Sequence, residues 1–307
     1  MFRNLIFFGL FWLACVKISA QTHLDEILMK KSQLCIAGIG TLDTWDRYWE
    51  GTLLRPNGNI GDLNRTTYNF MAAYGLSSRL NLLVNVPYLR TEATQGQLRG
   101  VSGFQDVSAF LKYQVIEKRG TAGKFSLLAS GGFSTPMTNY LPDYAPLNLG
   151  LGSQELSARA IAHFITNDGW FARTTVGYLH RTFAEIERDY YYTDIDHYSA
   201  FVDVPDALHT NIMVGKWLID EVFRTEIGYE RLQTLDGHDI RRQDVGFPSN
   251  KMESSRIGLG VQYYPPSNTG FGFVAQYWQT FAGRNMGKSQ IYMLGVTYQF
   301  FTQKTNI

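Results

Sequence analysis

Apolar and polar residues alternate with a period of two along most of this chain, the signature of strands with one apolar and one polar face. The pattern is clearest in Tyr68, Phe70, Ala72, Tyr74 and Leu76, then, after Ser77-Ser78-Arg79, in Leu80, Leu82, Val84, Val86 and Tyr88, with Asn69, Asn81 and Asn85 on the opposite phase. These two runs read as a hairpin. The same alternation returns in Val107 to Val115, Phe125 to Phe133, Leu156 to Phe164, Trp170 to Tyr178, Leu208 to Trp217, Phe223 to Leu232, Ser255 to Tyr263, Phe271 to Thr280 and Tyr292 to Phe300. Each run spans about ten residues, the length of a tilted strand that crosses a bilayer. One further strand, less regular, is expected within Leu34 to Leu54. The expected fold is therefore all-β: a transmembrane, antiparallel, up-and-down β-barrel of about twelve strands, an even number as in bacterial outer-membrane barrels.

The connections alternate in length, as they do in barrels with tight periplasmic turns and long external loops. Short links fall at Ser77–Arg79, Ile116–Gly123, Ile165–Gly169, Leu218–Val222 and Tyr264–Gly270. Longer ones fall at Arg55–Arg65, Leu89–Gly103, Thr135–Gly152, Thr182–Pro205 and Gln233–Met252, with Ala282–Gly287 the one short link expected outside. Asn167-Asp168-Gly169 and Pro265-Pro266-Ser267-Asn268 supply turn chemistry in the short set. Aromatic residues sit near the strand ends: Tyr74, Tyr113, Phe125, Phe164, Trp170, Tyr263, Phe271 and Tyr298 toward the periplasm, Tyr88, Phe133, Tyr178, Tyr277 and Tyr292 toward the exterior. Two such girdles fit interfacial anchoring in lipid. A soluble β-sandwich with aromatic edges is the competing reading of the alternation alone.

The amino terminus adds a compartment. Arg3 precedes an apolar stretch from Leu5 to Val16, and Ile18-Ser19-Ala20 places small residues before Gln21. This is a signal-peptide pattern, too short to span a bilayer as a helix, with cleavage expected after Ala20. The expected organisation is a signal peptide over residues 1–20 and a single barrel domain over 21–307, located in the bacterial outer membrane. Trp12-Leu13-Ala14-Cys15 loosely resembles a lipoprotein box, but Trp12 is unusual there, and Cys15 reads as a small apolar residue. After cleavage only Cys35 remains, which excludes an intramolecular disulfide. Loss of Arg3 and Lys17 takes Lys+Arg from 28 to 26 against 27 Asp+Glu, so nothing in the charge suggests nucleic acid.

The run Tyr74-Gly75-Leu76 through Leu80-Asn81-Leu82 to Val86-Pro87-Tyr88, then Gly103-Phe104-Gln105-Asp106-Val107, Lys112-Tyr113 and Ser134-Thr135-Pro136, resembles an outer-membrane channel family named for the MetA pathway of phenol degradation. The resemblance covers the middle and end of the chain. It implies a barrel associated with uptake of small, often aromatic, compounds. The last strand ends in Phe300-Phe301, close to the terminal aromatic favoured by the barrel assembly machinery, an expected partner during biogenesis along with outer-membrane lipid.

On the phase opposite the apolar face lie Asn81, Asn85, Lys112, Arg159, His163, Arg173, Arg224, Glu226, Glu230 and Arg256. Arg or Lys facing lipid at mid-depth costs about 2–4 kcal/mol, so these side chains are expected in the lumen, as pore-lining candidates. Two readings stay open: a polar pore selecting solutes by charge and size, or a filled interior in which Arg159, Arg173 and Arg256 pair with Glu226, Glu230 or Glu155. Thr182–Pro205 carries Glu185, Glu187, Asp189, Asp194, Asp196, His197 and Asp203 among tyrosines, without calcium-loop spacing, and reads as a solvated outer loop. His197 and His209 read as ordinary polar residues, and no cofactor or metal is expected. The His-x-Ser-Asn-Gly signature of outer-membrane phospholipases is absent: Phe164-Ile165-Thr166 follows His163 and Arg181-Thr182-Phe183 follows His180, so the chain is not expected to be an enzyme. The expected function is an outer-membrane channel for small solutes, aromatic or hydrophobic ones among them. The alternatives are a closed structural or adhesive barrel acting through its outer loops and, third, a hydrolase. Leu34 to Leu54, with Trp45, Arg47 and Trp49 on one phase, is read either as that less regular strand or as a segment entering or underlying the barrel.

Overall fold

The computed structural model describes residues 21–302 apart from 59, 194, 220–221, 241–245 and 267–269, so the expected signal peptide lies outside the described residues. Twelve long strands form the wall: β1 (Gln33–Trp45), β2 (Leu63–Gly75), β3 (Leu80–Ala93), β4 (Asp106–Arg119), β5 (Gly123–Pro136), β6 (Glu155–Thr166), β7 (Trp170–Arg181), β8 (Ala207–Leu218), β9 (Phe223–Thr234), β10 (Glu253–Tyr263), β11 (Phe271–Arg284) and β12 (Gln290–Phe301). Each pairs antiparallel with its sequence neighbours, and β1 pairs with β12 from Gln33↔Phe301 to Thr44↔Gln290, which closes the barrel. Closure leaves no edge strand with unpaired backbone groups, the condition for crossing lipid as sheet.

The alternation sorts the side chains as expected. On β7, Trp170, Val176 and Tyr178 are exposed while Phe171, Arg173, Thr175 and Leu179 are buried. Leu156, Leu259 and Leu294 are more than half exposed on the outer wall. A continuous apolar belt of this kind is a lipid-facing surface. The start of β1 and the end of β12 share one rim with the tight turns, where the Thr302 N–H donates to the Ser32 carbonyl at 2.9 Å. Gly169 closes one of these turns at φ +88°, where a Cβ would also lie 2.7 Å from the Trp217 carbonyl oxygen.

Of the two readings of Leu34–Leu54, the wall strand is the one observed: the stretch neither enters the barrel nor underlies it, and Gln33–Trp45 is a full wall strand. Its alternation is blurred on both faces for a physical reason. Gly38 carries no side chain on the lipid face, and the lumen-facing Cys35 is apolar because it packs in a buried cluster with Met29, Ala73, Leu83 and Phe110. Beyond the strand, Arg47–Glu50 and Leu53–Pro56 form a small external hairpin that lays Trp49 on Gly283.

The Thr182–Pro205 connection is likewise more structured than a solvated loop. Phe183–Glu185 pairs with Phe201–Asp203 and Tyr191–Tyr192 with Asp196–His197, while Ile186 and Val202 form a buried cluster with Phe247. No helix among the described residues is long and apolar enough to cross a membrane.

Candidate functional site in the barrel lumen

The stretch from Gln21 to Met29 lies inside the barrel, docked on the inward side chains of the wall, and the exposed Lys30 and Lys31 lead out to the rim. Asp25 and Glu26 are its principal anchors. Asp25 Oδ1 receives Lys112 Nζ at 2.8 Å, and the same ammonium donates to the Thr22 carbonyl at 2.7 Å and the Asp25 carbonyl at 3.0 Å. Glu26 is held by Arg173 at 3.0 Å, by Arg224 at 3.2 Å and by His163 Nε2 at 3.4 Å. Thr175 donates to the Leu24 carbonyl at 2.8 Å, and the Asn81 and Gln21 carboxamides meet at 2.9 Å. His23 stacks on Phe110 with ring centroids 4.2 Å apart and planes within 10°.

These contacts come from β3, β4, β6, β7 and β9. In the twelve-strand ring β3 and β9 stand opposite each other, so the segment bridges the lumen rather than lining one side. Its polar groups are satisfied partly by the wall and partly within the segment, where the Ile27 N–H donates to Asp25 Oδ1 at 2.9 Å and the Thr22 hydroxyl to Asp25 Oδ2 at 2.8 Å. A bare peptide entering this space would otherwise leave buried backbone carbonyls and carboxylates without partners, at about 1–3 kcal/mol each or more.

The wall residues expected in the lumen all face inward. Asn81, Lys112 and Arg224 are fully buried, Arg159, Arg173, His163 and Glu226 nearly so, and Asn85, Glu230 and Arg256 are half-buried. The pairing differs from the filled-interior reading. Arg256 does pair with Glu230 at 3.1 Å, and Arg224 meets Glu226 at 2.9 Å. Arg173, however, takes Glu26 as its carboxylate and Asn211 Oδ1 at 3.4 Å as its second partner. Arg159 has no carboxylate within ion-pair distance among the described residues: Nη1 donates to Ser157 Oγ at 2.5 Å, the guanidinium lies 5.4 Å from the Phe110 ring centroid, and Nε has no acceptor. Arg181, not Arg159, pairs with Glu155, at 3.1 Å.

Asp25 and Glu26 are the residues that strand patterning does not reveal, because they lie before the first strand. A signal was nonetheless present. The wall candidates hold five cations, Lys112, Arg159, Arg173, Arg224 and Arg256, against two carboxylates, Glu226 and Glu230. Uncompensated buried charge of that size demands anions from elsewhere in the chain or from a ligand.

Toward the outer rim the connection over residues 137–154 also folds inward. Leu147 and Leu149 are buried, Thr91 donates to the Leu147 carbonyl at 2.7 Å, and Arg65 reaches the Asn148 carbonyl at 3.4 Å. Tyr140 donates to the Asp106 carboxylate; burial, together with that carboxylate, pushes its phenol well above the ordinary range. On the far side of the mouth, Arg284 binds Asp239 through two nitrogens, at 2.7 and 2.6 Å, and Asn285 adds a donor at 2.8 Å, tying the 235–252 connection to β11. The Arg284 hydrogen bonds hold the Asp239 carboxyl below its usual range. His209 pairs with Glu230 at 3.6 Å, and His197 bonds Thr193 at 2.9 Å while stacking on Tyr191. Among the described residues there is no group of three or more side chains arranged to hold a metal ion.

Residues 60–294 match the family model described as "Putative MetA-pathway of phenol degradation". Among solved structures, the chain is similar to an outer-membrane channel from Pseudomonas putida F1, at 16% identity and TM-score 0.70, covering 92% of this chain and 100% of that one. It also matches the translocator domain of the autotransporter NalP from Neisseria meningitidis at 12% identity and TM-score 0.48, covering 89% and 90%. No curated protein matches the sequence. The first of these likenesses places the fold among outer-membrane barrels.

Proposed function

The chain belongs to the family of the MetA pathway of phenol degradation, and on that premise we propose that it is an outer-membrane channel for small solutes, aromatic or hydrophobic ones among them. The observation that carries this reading is the lumen itself. A barrel needed only as a scaffold or adhesin can fill its interior with wall side chains; this one leaves wall cations that are neutralised by a short, separable segment of chain. A segment docked through a few ionic anchors is a gate: it can leave the lumen without a break in the sheet, because it supplies none of the paired strands.

The channel reading also fits the outer face, where the 137–154 connection reaches Arg65 on β2 and Thr91 on β3 and is tied to the 182–206 connection by Arg188, which donates to Asp143 at 2.9 Å. His163 faces Glu26 and Phe171 and is the register partner of the buried Ser126, but neither of its ring nitrogens makes a hydrogen bond among the described residues, so no serine is held against a base there. The expected signal peptide belongs to the same proposal. It is supported by the burial of Gln21 in the lumen against Asn81, a position that suits the first residue of an exported chain. N-terminal sequencing of the protein recovered from outer membranes is expected to begin at Gln21.

The test of the channel is liposome swelling with refolded protein from Gln21 onward, comparing neutral sugars, amino acids of both charges and small phenolic compounds with empty vesicles. Swelling above background with phenolic compounds, increased by deletion of residues 21–31, is the expected result. No swelling by either form, with heat-modifiable gel migration proving a folded barrel, overturns the channel and moves the search to the outer loops.

A further inference from the structure

We propose that the barrel wall carries a carboxylate-binding site built from Lys112, Arg173 and Arg224, which Asp25 and Glu26 occupy as a built-in competitor, and that its external ligand is a small aromatic carboxylate. The inference deepens the channel reading by naming a solute class, and its test separates the two.

The first support is charge. Lys112 finds every acceptor it has on the docked segment. Among the described residues Arg173 has Glu26 as its carboxylate and otherwise hydrogen-bonds Asn211. Arg224 keeps Glu226 from the wall, but one carboxylate is then left to serve Lys112, Arg159, Arg173 and Arg224 together. When the segment leaves, Glu226 is the one wall carboxylate within ion-pair distance of these four cations among the described residues. A planar guanidinium presents paired N–H donors that match a carboxylate, so the natural replacement for Glu26 is another carboxylate.

The second support is the aromatic surface beside the cations. Arg224 lies over the Phe171 ring at 4.2 Å and near Trp217 at 5.5 Å. Phe110 is covered on one face by the His23 imidazole, and Arg159 lies 5.4 Å from its centroid. The docked segment thus presents a flat ring to Phe110 and carboxylates to the cations, the two features an aromatic acid combines in one molecule.

The third support is Arg159. It is more than nine-tenths buried, its Nε has no acceptor, and the hydroxyl of Ser130, its register partner on β5, is also buried without one. A carboxylate in transit finds there donors that the segment leaves free. Gly177 leaves room for this guanidinium, since a Cβ at that position would come within 2.8 Å of Arg159 Cγ.

The experiment is titration calorimetry of the refolded mature chain with benzoate and with its neutral counterpart benzyl alcohol. Benzoate is expected to bind D25N/E26Q at least tenfold more tightly than the unaltered protein, because the internal competitor is gone, while benzyl alcohol changes little. Adding Arg173→Met should reverse the gain. If D25N/E26Q loses heat-modifiable migration, E26Q alone, which keeps the Lys112–Asp25 pair, serves as the test variant. Equal gains for benzoate and benzyl alcohol, or a benzoate affinity indifferent to Arg173→Met, overturn the site. Conductance of the same variants in planar bilayers tells the two readings apart. Conductance without benzoate preference keeps the channel and removes the site; benzoate binding without conductance keeps the site and removes the channel.

Discussion

Replacement of Glu26 by alanine is the sharpest perturbation of the lumen. In the docked state this carboxylate touches Arg173 at 3.0 Å, Arg224 at 3.2 Å and His163 at 3.4 Å. Removing one partner of a buried ion pair costs about 3–5 kcal/mol, because the other charge stays buried without compensation. Arg224 keeps Glu226 at 2.9 Å and Arg173 keeps Asn211 at 3.4 Å, so the lower end applies, about 3 kcal/mol. In the undocked state water and ions reach both arginines whether or not residue 26 is acidic, so the loss falls almost entirely on docking. At about 1.4 kcal/mol per factor of ten, the ratio of docked to undocked segment falls on the order of a hundredfold. The wall loses no strand hydrogen bond, so the barrel remains folded and heat-modifiable. Amide hydrogen exchange over residues 22–30 in refolded Glu26→Ala should therefore accelerate by about that factor, with wall strands unchanged. Equal exchange in the two proteins would refute the claim that Glu26 pins the segment. Slowed folding or faster exchange in the wall would show instead that the segment is part of the barrel core.

Lys112→Met removes the other anchor and should speed exchange over the same residues; combined with Glu26→Ala its effect should be less than additive, because both release one segment. On the outer wall, Leu294 is 70% exposed between the girdle residues Tyr292 and Tyr298, so Leu294→Arg should cost about 2–4 kcal/mol in urea unfolding from lipid vesicles. Gly177→Val places a Cβ 2.8 Å from Arg159 Cγ, an overpacking worth about 1–3 kcal/mol, visible as a lower unfolding temperature. Because the Asp239 carboxyl is held below its ordinary range by Arg284, the attachment of the 235–252 connection is fully present above the ordinary carboxylate range and is lost as pH falls through the lowered value. Limited proteolysis of that connection should rise only at strongly acidic pH, and Arg284→Ala should raise it already at neutral pH.

Much of this architecture was legible in local pattern. A strand buried in lipid on one side and in a polar interior on the other must alternate, since each misplaced charge costs several kcal/mol, and Leu80 to Tyr88 and Trp170 to Tyr178 do so. The length parity of the links then fixed which rim carries the tight turns and the termini. β1 was obscured where Gly38 offers lipid no side chain and Cys35 turns an apolar group inward, a choice that makes sense only beside Met29 and Phe110. The lumen-facing identity of Lys112, Arg173 and Arg224 was also readable, as was their excess over Glu226 and Glu230. What answers that excess was not. Glu26 and Arg224 are 198 residues apart, and no periodicity links a short stretch before the first strand to cations on β4, β7 and β9. Only closure of the sheet brings those strands round a common space narrow enough for one short segment to reach them all, and the exclusion of bulk water from that space then makes its two carboxylates the partners the wall lacks.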